Sequence, residues 1–218
     1  GESARDKEHG KFESNVTYAT VVIEDGKIKA VSIDTAQNDI KFTETAVNEF
    51  VAKGTKKELG KDYGMNWDEQ VEKLEKQLLG KSVESITEKQ SAADLGSSVS
   101  IDINGYIDAV NLAIKNAVAV EGLVEFGQTS TVTASMDADK PVEINTVVVA
   151  TGVDKDGKVV YSHIDQMQQK ATITAGKVVA DANTKTKGQL GKDYGMNWDE
   201  QVAAIAKHII GKTSSEID

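Results

Sequence analysis

A block of thirteen residues, LGKDYGMNWDEQV, occupies positions 59–71 and recurs letter for letter at positions 190–202. An identity of this length does not arise by chance, so the chain is a tandem repeat. The copies stay in register without gaps, because Leu59 and Leu190 lie 131 residues apart and Asp25 and Asp156 have the same spacing. The sequences outside the block have drifted widely. We infer that both copies need the block for the same structural or binding task.

The length of the repeat indicates two domains rather than a solenoid, since 131 residues can enclose a core of their own. Hydrophobic residues at 39% and charged residues at 28% are ordinary for a globular protein. We therefore predict an α+β protein of two tandem domains, each a small antiparallel sheet with packed helices. The predicted boundaries are a polar tail at 1–13, domain 1 at 14–120, a linker at 121–133 and domain 2 at 134–218.

The composition excludes several classes of function. A formal net charge of −10 disfavours binding to nucleic acid and direct docking on anionic lipid, because both need a basic surface. The chain has no cysteine, which removes disulfides, thiolate nucleophiles and thiolate metal sites. No apolar run approaches the roughly 20 residues that cross a bilayer. The first ten residues, GESARDKEHG, lack the apolar core of a signal peptide, so any such segment is expected outside this sequence.

Both copies begin with a predicted β-hairpin. Residues 16–23 and 28–33 are rich in β-branched residues, and Asp25-Gly26 between them supplies the positive φ angles of a tight turn. Copy two repeats the pattern with residues 144–153 and 158–164. Residues 40–53 are a weaker element, interpreted as a strand or a short helix.

A helix is predicted to begin inside the repeated block. Asn66 followed by Glu69 is typical of a capping box, and Gly80 is expected to end the helix. Four apolar residues at helical spacing form its buried face: Trp67, Val71, Leu74 and Leu78. A second helix is predicted at about 103–119. Copy two stops before the counterpart of that helix, so domain 2 is expected to be C-terminally incomplete here, either truncated or completed by residues outside this sequence.

The loop before the second helix is the main candidate for ligand binding. Its sequence at positions 94–100 is DLGSSVS. Hydroxyl side chains at a helix N-terminus suit a phosphate, because the unpaired N–H groups and the helix dipole favour an anion. An ordinary serine-rich loop with a capping residue is the alternative interpretation.

The order of these features resembles the FMN-binding domain family. The chain has a hairpin with an Asp-Gly-Lys turn, then Gly-x-x-Tyr-Gly-Met before a helix that starts with Trp. It then has Asp-x-x-Ser-x-x-Ser before a helix containing Tyr-Ile-Asp-Ala-Val-Asn. Members of the family carry FMN joined through its phosphate to Ser or Thr in Asp-x-x-Ser/Thr-Gly-Ala-Thr/Ser. Two such domains in tandem are similar to extracellular flavin lipoproteins of Gram-positive bacteria. The resemblance covers about 14–120 and 134–218.

The resemblance implies a covalent attachment site. Asp94 matches the motif Asp, Ser97 matches the first hydroxyl, and Ser100 occupies the acceptor position. Ser98 and Val99 replace the motif's Gly and Ala, and a Cβ at position 98 blocks backbone angles open only to Gly. Ser97 and Ser98 stay as lesser acceptor candidates.

The resemblance also implies which residues lie near the flavin ring. In copy one they are Tyr63, Gly64, Met65 and Trp67, and in copy two Tyr194, Gly195, Met196 and Trp198. Aromatic and Met side chains stack on the apolar faces of such a ring. The alternative is that Trp67 and Met65 pack the helix onto the sheet. The identical Tyr and Met in the loop are harder to explain by packing.

The implied function is electron transfer outside the cell, by a carrier rather than an enzyme. A flavin transferase would install FMN, a membrane NADH dehydrogenase system would reduce it, and extracellular acceptors would oxidise it. A lipid anchor would hold the chain at the membrane. A non-redox surface lipoprotein that uses the repeats as binding or spacing modules is the alternative. A flavin reductase lacks a visible substrate acid or base, and the three histidines are too dispersed to bind a metal.

Overall fold

A computed structural model describes residues 10–43, 46–64, 66–87, 99–137, 139–181 and 184–217. Seven strands are present in this part of the chain: β1 Gly10–Glu24, β2 Lys27–Phe42, β3 Val47–Thr55, β4 Glu125–Ser135, β5 Val142–Val153, β6 Val159–Thr174 and β7 Lys177–Ala180. Six α-helices accompany them: α1 Lys56–Leu59, α2 Trp67–Leu78, α3 Val83–Thr87, α4 Asn104–Lys115, α5 Lys187–Leu190 and α6 Trp198–Ile209. Short 3-10 helices occupy Gly60–Tyr63, Gly191–Tyr194 and Ser214–Glu216.

The strands form two antiparallel sheets, of order β1-β2-β3 and β4-β5-β6-β7. The predicted α+β class is therefore confirmed. In the second sheet β5 pairs with β6 from Val142↔Ala171 onward, with a register shift between Gly152 and Val153. None of the helices in the described residues is long and apolar enough to cross a membrane.

The turn of the first hairpin lies where the sequence predicts it. Asp25 and Gly26 have φ angles of 51° and 71°, which a tight hairpin turn requires. In copy two the carboxylate of Asp154 accepts hydrogen bonds from the backbone N–H groups of Asp156 at 2.9 Å and Lys158 at 3.0 Å. Both hairpin turns thus depend on aspartate and glycine residues within the turn itself.

The chain forms two compact units whose bounds differ from those of the sequence copies. The first unit comprises Thr17–Ala36 and Gly54–Ala119. The second comprises Gln37–Lys53, Val120–Asp218 and the described residues up to Val16. Strand β1 has 15 residues and β2 has 16, and each contributes residues to both units.

The core of the first unit is built on the predicted face of α2. Trp67, Val71, Leu74 and Leu78 are at most 1% exposed. They belong to one apolar cluster with residues of β2, α3, α4 and the segment before α4: Ile28, Ile33, Ile86, Ile103, Ile107 and Val110. Burial of a side chain of this size contributes about 1.5–3 kcal/mol.

The core of the second unit shows that the N-terminal boundary was predicted too late. Phe12, Ile40 and Phe42 form one buried cluster with Val142, Ile144 and Ala171. Residues 10–13, predicted as the end of a polar tail, are therefore part of β1. Phe12 is the only apolar residue among these four, so periodicity gave no strand signal there.

Most of the predicted linker is also ordered. Residues 125–135 form β4, which pairs with β5 from Glu125↔Val153 to Ser135↔Glu143. Exposed and half-buried positions alternate along its whole length. Two of the five half-buried positions carry the polar residues Gln128 and Ser130, so the apolar alternation that identifies a half-buried strand is interrupted in the middle of β4.

Glu13 on β1 makes the second unit sensitive to acid. Hydrogen bonds from Lys11 and Asn15 lower the pKa of its carboxyl from the ordinary 4.5 to about 2, against the opposing effect of burial. The Lys11 Nζ lies 2.6 Å from a Glu13 oxygen. A carboxylate with a lowered folded-state pKa stabilises the fold above its unfolded pKa and loses that contribution as pH falls towards 2.

We expect Glu13→Gln to flatten the fall in stability between pH 4.5 and 2. Solvent screening limits the effect to about 1 kcal/mol. Urea unfolding at a series of pH values measures it. Lys11→Met should flatten the same part of the curve, since it removes the largest cause of the shift. An unchanged pH profile in both variants would contradict this assignment.

Candidate functional site

The described residues of the repeated block form the same elements in both copies. In each copy a capping box starts a short helix, formed by Thr55 with Glu58 and by Thr186 with Gln189. A 3-10 turn, a glycine and the long helix follow in the same order. The block is therefore one structural unit with the helix that precedes it.

A lysine from that preceding helix contacts both aromatic rings of the block. Lys56 Nζ lies 4.5 Å from the centroid of the Tyr63 ring and 5.5 Å from that of Trp67. Copy two reproduces this lysine–aromatic cluster, with Lys187 at 4.5 Å from Tyr194 and 5.6 Å from Trp198. Lys187 is only 7% exposed, so its contact with the rings replaces part of its hydration. The cluster gives the identical Tyr and Trp a structural task in both copies.

The backbone of the block explains its identical Gly and Asn. Gly64 and Gly195 have φ angles of 91° and 89°, which side chains with a Cβ rarely adopt. Asn66 and Asn197 are left-handed, with φ angles of 50° and 51°. The predicted capping box at Asn66 and Glu69 is wrong, because Asn66 makes no side-chain capping hydrogen bond. The chain turns into α2 through the left-handed backbone conformation of Asn66 instead.

Trp67 is enclosed by protein. It is 1% exposed, and its indole N–H donates to the Tyr106 hydroxyl over 2.8 Å. The two ring centroids are 5.9 Å apart with the planes at 72°. Trp67 thus joins α2 to α4, and it lies in the same apolar cluster as Ile28 and Ile33 of β2.

The remaining candidates near a flavin ring differ between the copies. Tyr63 and Gly64 are half-buried, and Met65 lies outside the described residues. In copy two Tyr194, Gly195 and Trp198 are half-buried. Met196 is 77% exposed. The structure therefore brings Tyr63 and Trp67 together, with ring centroids 6.2 Å apart, but leaves Met196 at the surface.

Ser100, the predicted acceptor, is exposed and anchored to the block. The Oε1 of Gln70 accepts three hydrogen bonds: from the Ser100 N–H at 2.7 Å, from the Ser100 hydroxyl at 3.2 Å and from the Ile101 N–H at 3.2 Å. Val99 and Ile101 on either side pack against the core cluster of the first unit. Because Val99 and Ile101 face the core, the Ser100 side chain between them faces outward. Asp94, Ser97 and Ser98 lie outside the described residues.

Sequence reasoning missed Gln70 as a site residue. The sequence feature that could have identified it is its position in the identical block, three residues after Trp67 on the same helix. In copy two the matching Gln201 uses its Nε2 to donate to the Met196 carbonyl over 2.8 Å. The same side chain therefore holds different partners in the two copies.

In each copy a carboxylate on a strand of the sheet supports the short helix that precedes the block. Asp34 accepts from the Lys57 N–H at 3.1 Å, and Asp165 accepts from the Gly188 N–H at 2.8 Å and from the Thr186 hydroxyl at 2.5 Å. These bonds satisfy backbone donors of the first helical turn. The carboxylates thus fix α1 and α5, which carry the lysines of the two clusters.

We expect Gly188→Ala to destabilise the second unit by about 1–3 kcal/mol, because the new Cβ displaces hydrogen bonds to Asp165. A Cβ at Gly188 would lie 2.9 Å from both Asp165 oxygens. Urea unfolding measures the loss. Gly105→Ala is the matched control, since a Cβ there meets no atom within 4 Å. Equal stability of the two variants would contradict the role given to Asp165.

The exposed Ser100 hydroxyl could carry a phosphoester. An exposed hydroxyl on an anchored segment is what a phosphoryl group needs for attachment. Within the described ranges no cluster of three His, Asp or Glu residues could hold a metal ion. No protein-family model, no curated protein and no solved structure matches this chain.

Proposed function

We propose that the chain is an extracellular electron carrier that holds FMN through a phosphoester on Ser100. The observation that supports it is the exposed Ser100 hydroxyl, which Gln70 anchors to the repeated block. Tyr63, Gly64 and Met65 would lie along the flavin, and Trp67 would support them from the core. The two copies would then be FMN-binding-type domains.

The attachment reaction needs only the serine hydroxyl and an activated flavin. The Ser100 Oγ attacks the FMN phosphorus of FAD, the new O–P bond forms, and the bond from that phosphorus to the bridging oxygen of the pyrophosphate breaks with release of AMP. The hydroxyl proton passes to a base of the flavin transferase. Gln70 accepts from the hydroxyl, which leaves the Oγ lone pairs available to the phosphorus.

The bound flavin would supply the redox chemistry, and the chain would supply attachment and positioning. Its partners would be the flavin transferase, a membrane NADH dehydrogenase system and electron acceptors outside the cell. A lipid anchor would provide the contact with the membrane. The net charge of −10 is consistent with a carrier that binds neither nucleic acid nor anionic lipid directly.

Co-expression with a flavin transferase tests the proposal. After denaturation and gel filtration, covalent flavin stays with the chain and gives a fluorescent band on a denaturing gel. Expression without the transferase is the control. A colourless, folded protein made beside a transferase that modifies a known substrate would contradict the proposal.

A non-redox surface module is the second candidate. The lysine–aromatic cluster supports it, because Lys56 and Lys187 occupy the faces of the block's rings in both copies. The block would then be identical for structural reasons alone. The same experiment separates the two candidates.

A further inference from the structure

Strand β4 is a long edge of the second sheet. It lies outside β5, and the pairing between the two strands runs from Glu125↔Val153 to Ser135↔Glu143 without a register shift. Among the strands of the described residues, only β5 pairs with it. An edge strand directs the N–H and C=O groups of every second residue away from its neighbour. Strand β4 therefore presents a row of backbone donors and acceptors along its 11 residues.

The other sheet edges carry the features that usually prevent pairing with another chain, and β4 does not. Those features are short length, lysine and other charged side chains, and proline. Strand β7 has four residues and begins with Lys177, β3 carries Glu49 and Lys53, and β1 carries Lys11 and Glu13. The sequence of β4 is EFGQTSTVTAS, with a single charged residue at its first position. This edge is thus the one suited to pair with a further strand.

The exposed face of β4 consists largely of β-branched side chains. Exposed and half-buried positions alternate, and the exposed positions include Thr129, Thr131 and Thr133. Threonine is favoured in strands, and threonines that lie opposite each other on neighbouring strands stabilise the pairing. The side chains beside the edge are therefore compatible with strand pairing.

Nothing in the described chain requires the glycine at position 127. Gly127 has no positive φ angle, and a Cβ there would meet no atom within 4 Å. A glycine inside a strand weakens it, and often marks a place where another backbone approaches closely. A depression of about 440 Å³ lies beside it, between residues 125–129 and three residues of β5, Val149, Thr151 and Val153. A strand from another molecule has room at this end of β4.

The sequence of β4 is complementary to a second copy of itself. Full overlap of two antiparallel copies places residue 125 of one opposite residue 135 of the other. Gly127 then lies opposite Thr133, and Thr129 lies opposite Thr131. Exposed residues face exposed residues throughout, because opposite positions differ by an even number.

This register also avoids repulsion between like charges. The formal net charge of −10 disfavours contacts between copies over most of the surface. In β4 the only charged residue is Glu125, and the register places it opposite Ser135. The electrostatics of this edge therefore permit contact between two copies.

We propose that β4 is a dimer interface, at which it pairs antiparallel with β4 of a second copy about a twofold axis. The two four-stranded sheets then form one sheet of eight strands. The pairing adds about ten main-chain hydrogen bonds. The opposite edge, β7, is short and carries Lys177, so the assembly closes at two copies.

Sedimentation velocity of the full chain over a range of concentrations tests the proposal. We expect a monomer–dimer equilibrium. Thr131→Lys alone, and Thr129→Glu alone, should each weaken dimerisation by about tenfold or more, because each places like charges diagonally across the axis. An equal mixture of the two variants should restore the dimer, since Lys at position 131 of one copy then faces Glu at position 129 of the other.

Thr172→Lys is the matched control. Thr172 is exposed on β6, an inner strand of the same sheet, so the variant adds the same charge away from the edge and should dimerise like the natural chain. A natural chain that stays monomeric, or assemblies larger than two copies, would overturn the proposal. So would equal dimerisation of the Thr131→Lys and Thr172→Lys variants. A mixture of Thr131→Lys and Thr129→Glu that stays monomeric would rule out this register and with it the proposed interface.

Discussion

Trp67→Ala should lower the free energy of unfolding by about 3–5 kcal/mol, the usual loss for a large aromatic removed from a packed core. Trp67 is 1% exposed and belongs to the cluster that joins α2 to α4. The change also removes the donor to Tyr106 and one of the rings that contacts Lys56. Urea unfolding followed by circular dichroism measures the loss.

Trp198→Ala is the matched control, because it removes the same residue from an identical block. Trp198 is half-buried and its ring contacts that of Tyr194, but among the described residues no tyrosine hydroxyl accepts from its indole N–H. We expect a loss of about 1–2 kcal/mol, in proportion to the smaller burial. Equal losses in the two variants would show that burial by α4 contributes little to the stability of the first unit.

Ser100→Ala should abolish covalent flavin in protein made with a flavin transferase, because the attachment needs the hydroxyl oxygen. The side chain is exposed, so the variant should keep the stability of the natural chain within about 0.5 kcal/mol. Flavin fluorescence on a denaturing gel measures the attachment, and a urea unfolding curve measures the stability.

Ser100→Thr is the control that keeps the hydroxyl and should retain the adduct. Gln70→Ala keeps Ser100 but removes the acceptor of its N–H, and should reduce the yield of attachment without abolishing it. Flavin that persists on the Ser100→Ala variant would move the attachment to Ser97 or Ser98.

Elements that depend on local apolar periodicity and on turn residues could be predicted from the sequence. The Asp25-Gly26 turn, the buried face of α2 and the shared structure of the two blocks all follow from short stretches of sequence. Strand β4 and the first residues of β1 were missed, because their burial depends on neighbouring strands and not on their own apolar pattern. Residues 40–42 and 47–53 proved to be strand, as one of the two interpretations allowed.

The candidate site was only partly predictable for a related reason. Ser100 could be named from the hydroxyl-rich loop, but its anchor Gln70 could not, since the contact spans 30 residues. The lysine–aromatic cluster was also missed, because Lys56 precedes the identical block and is matched by Lys187 in a segment that has otherwise drifted. Comparison of the copies in three dimensions shows which identities serve the fold.

The mass of the intact chain after co-expression with a flavin transferase tests the central proposal most directly. We predict a gain of one FMN-phosphoryl group, mapped by peptide digestion to the segment that contains Ser100. An unmodified mass in folded protein, with a transferase active on a control substrate, would contradict the carrier function and favour a non-redox surface module.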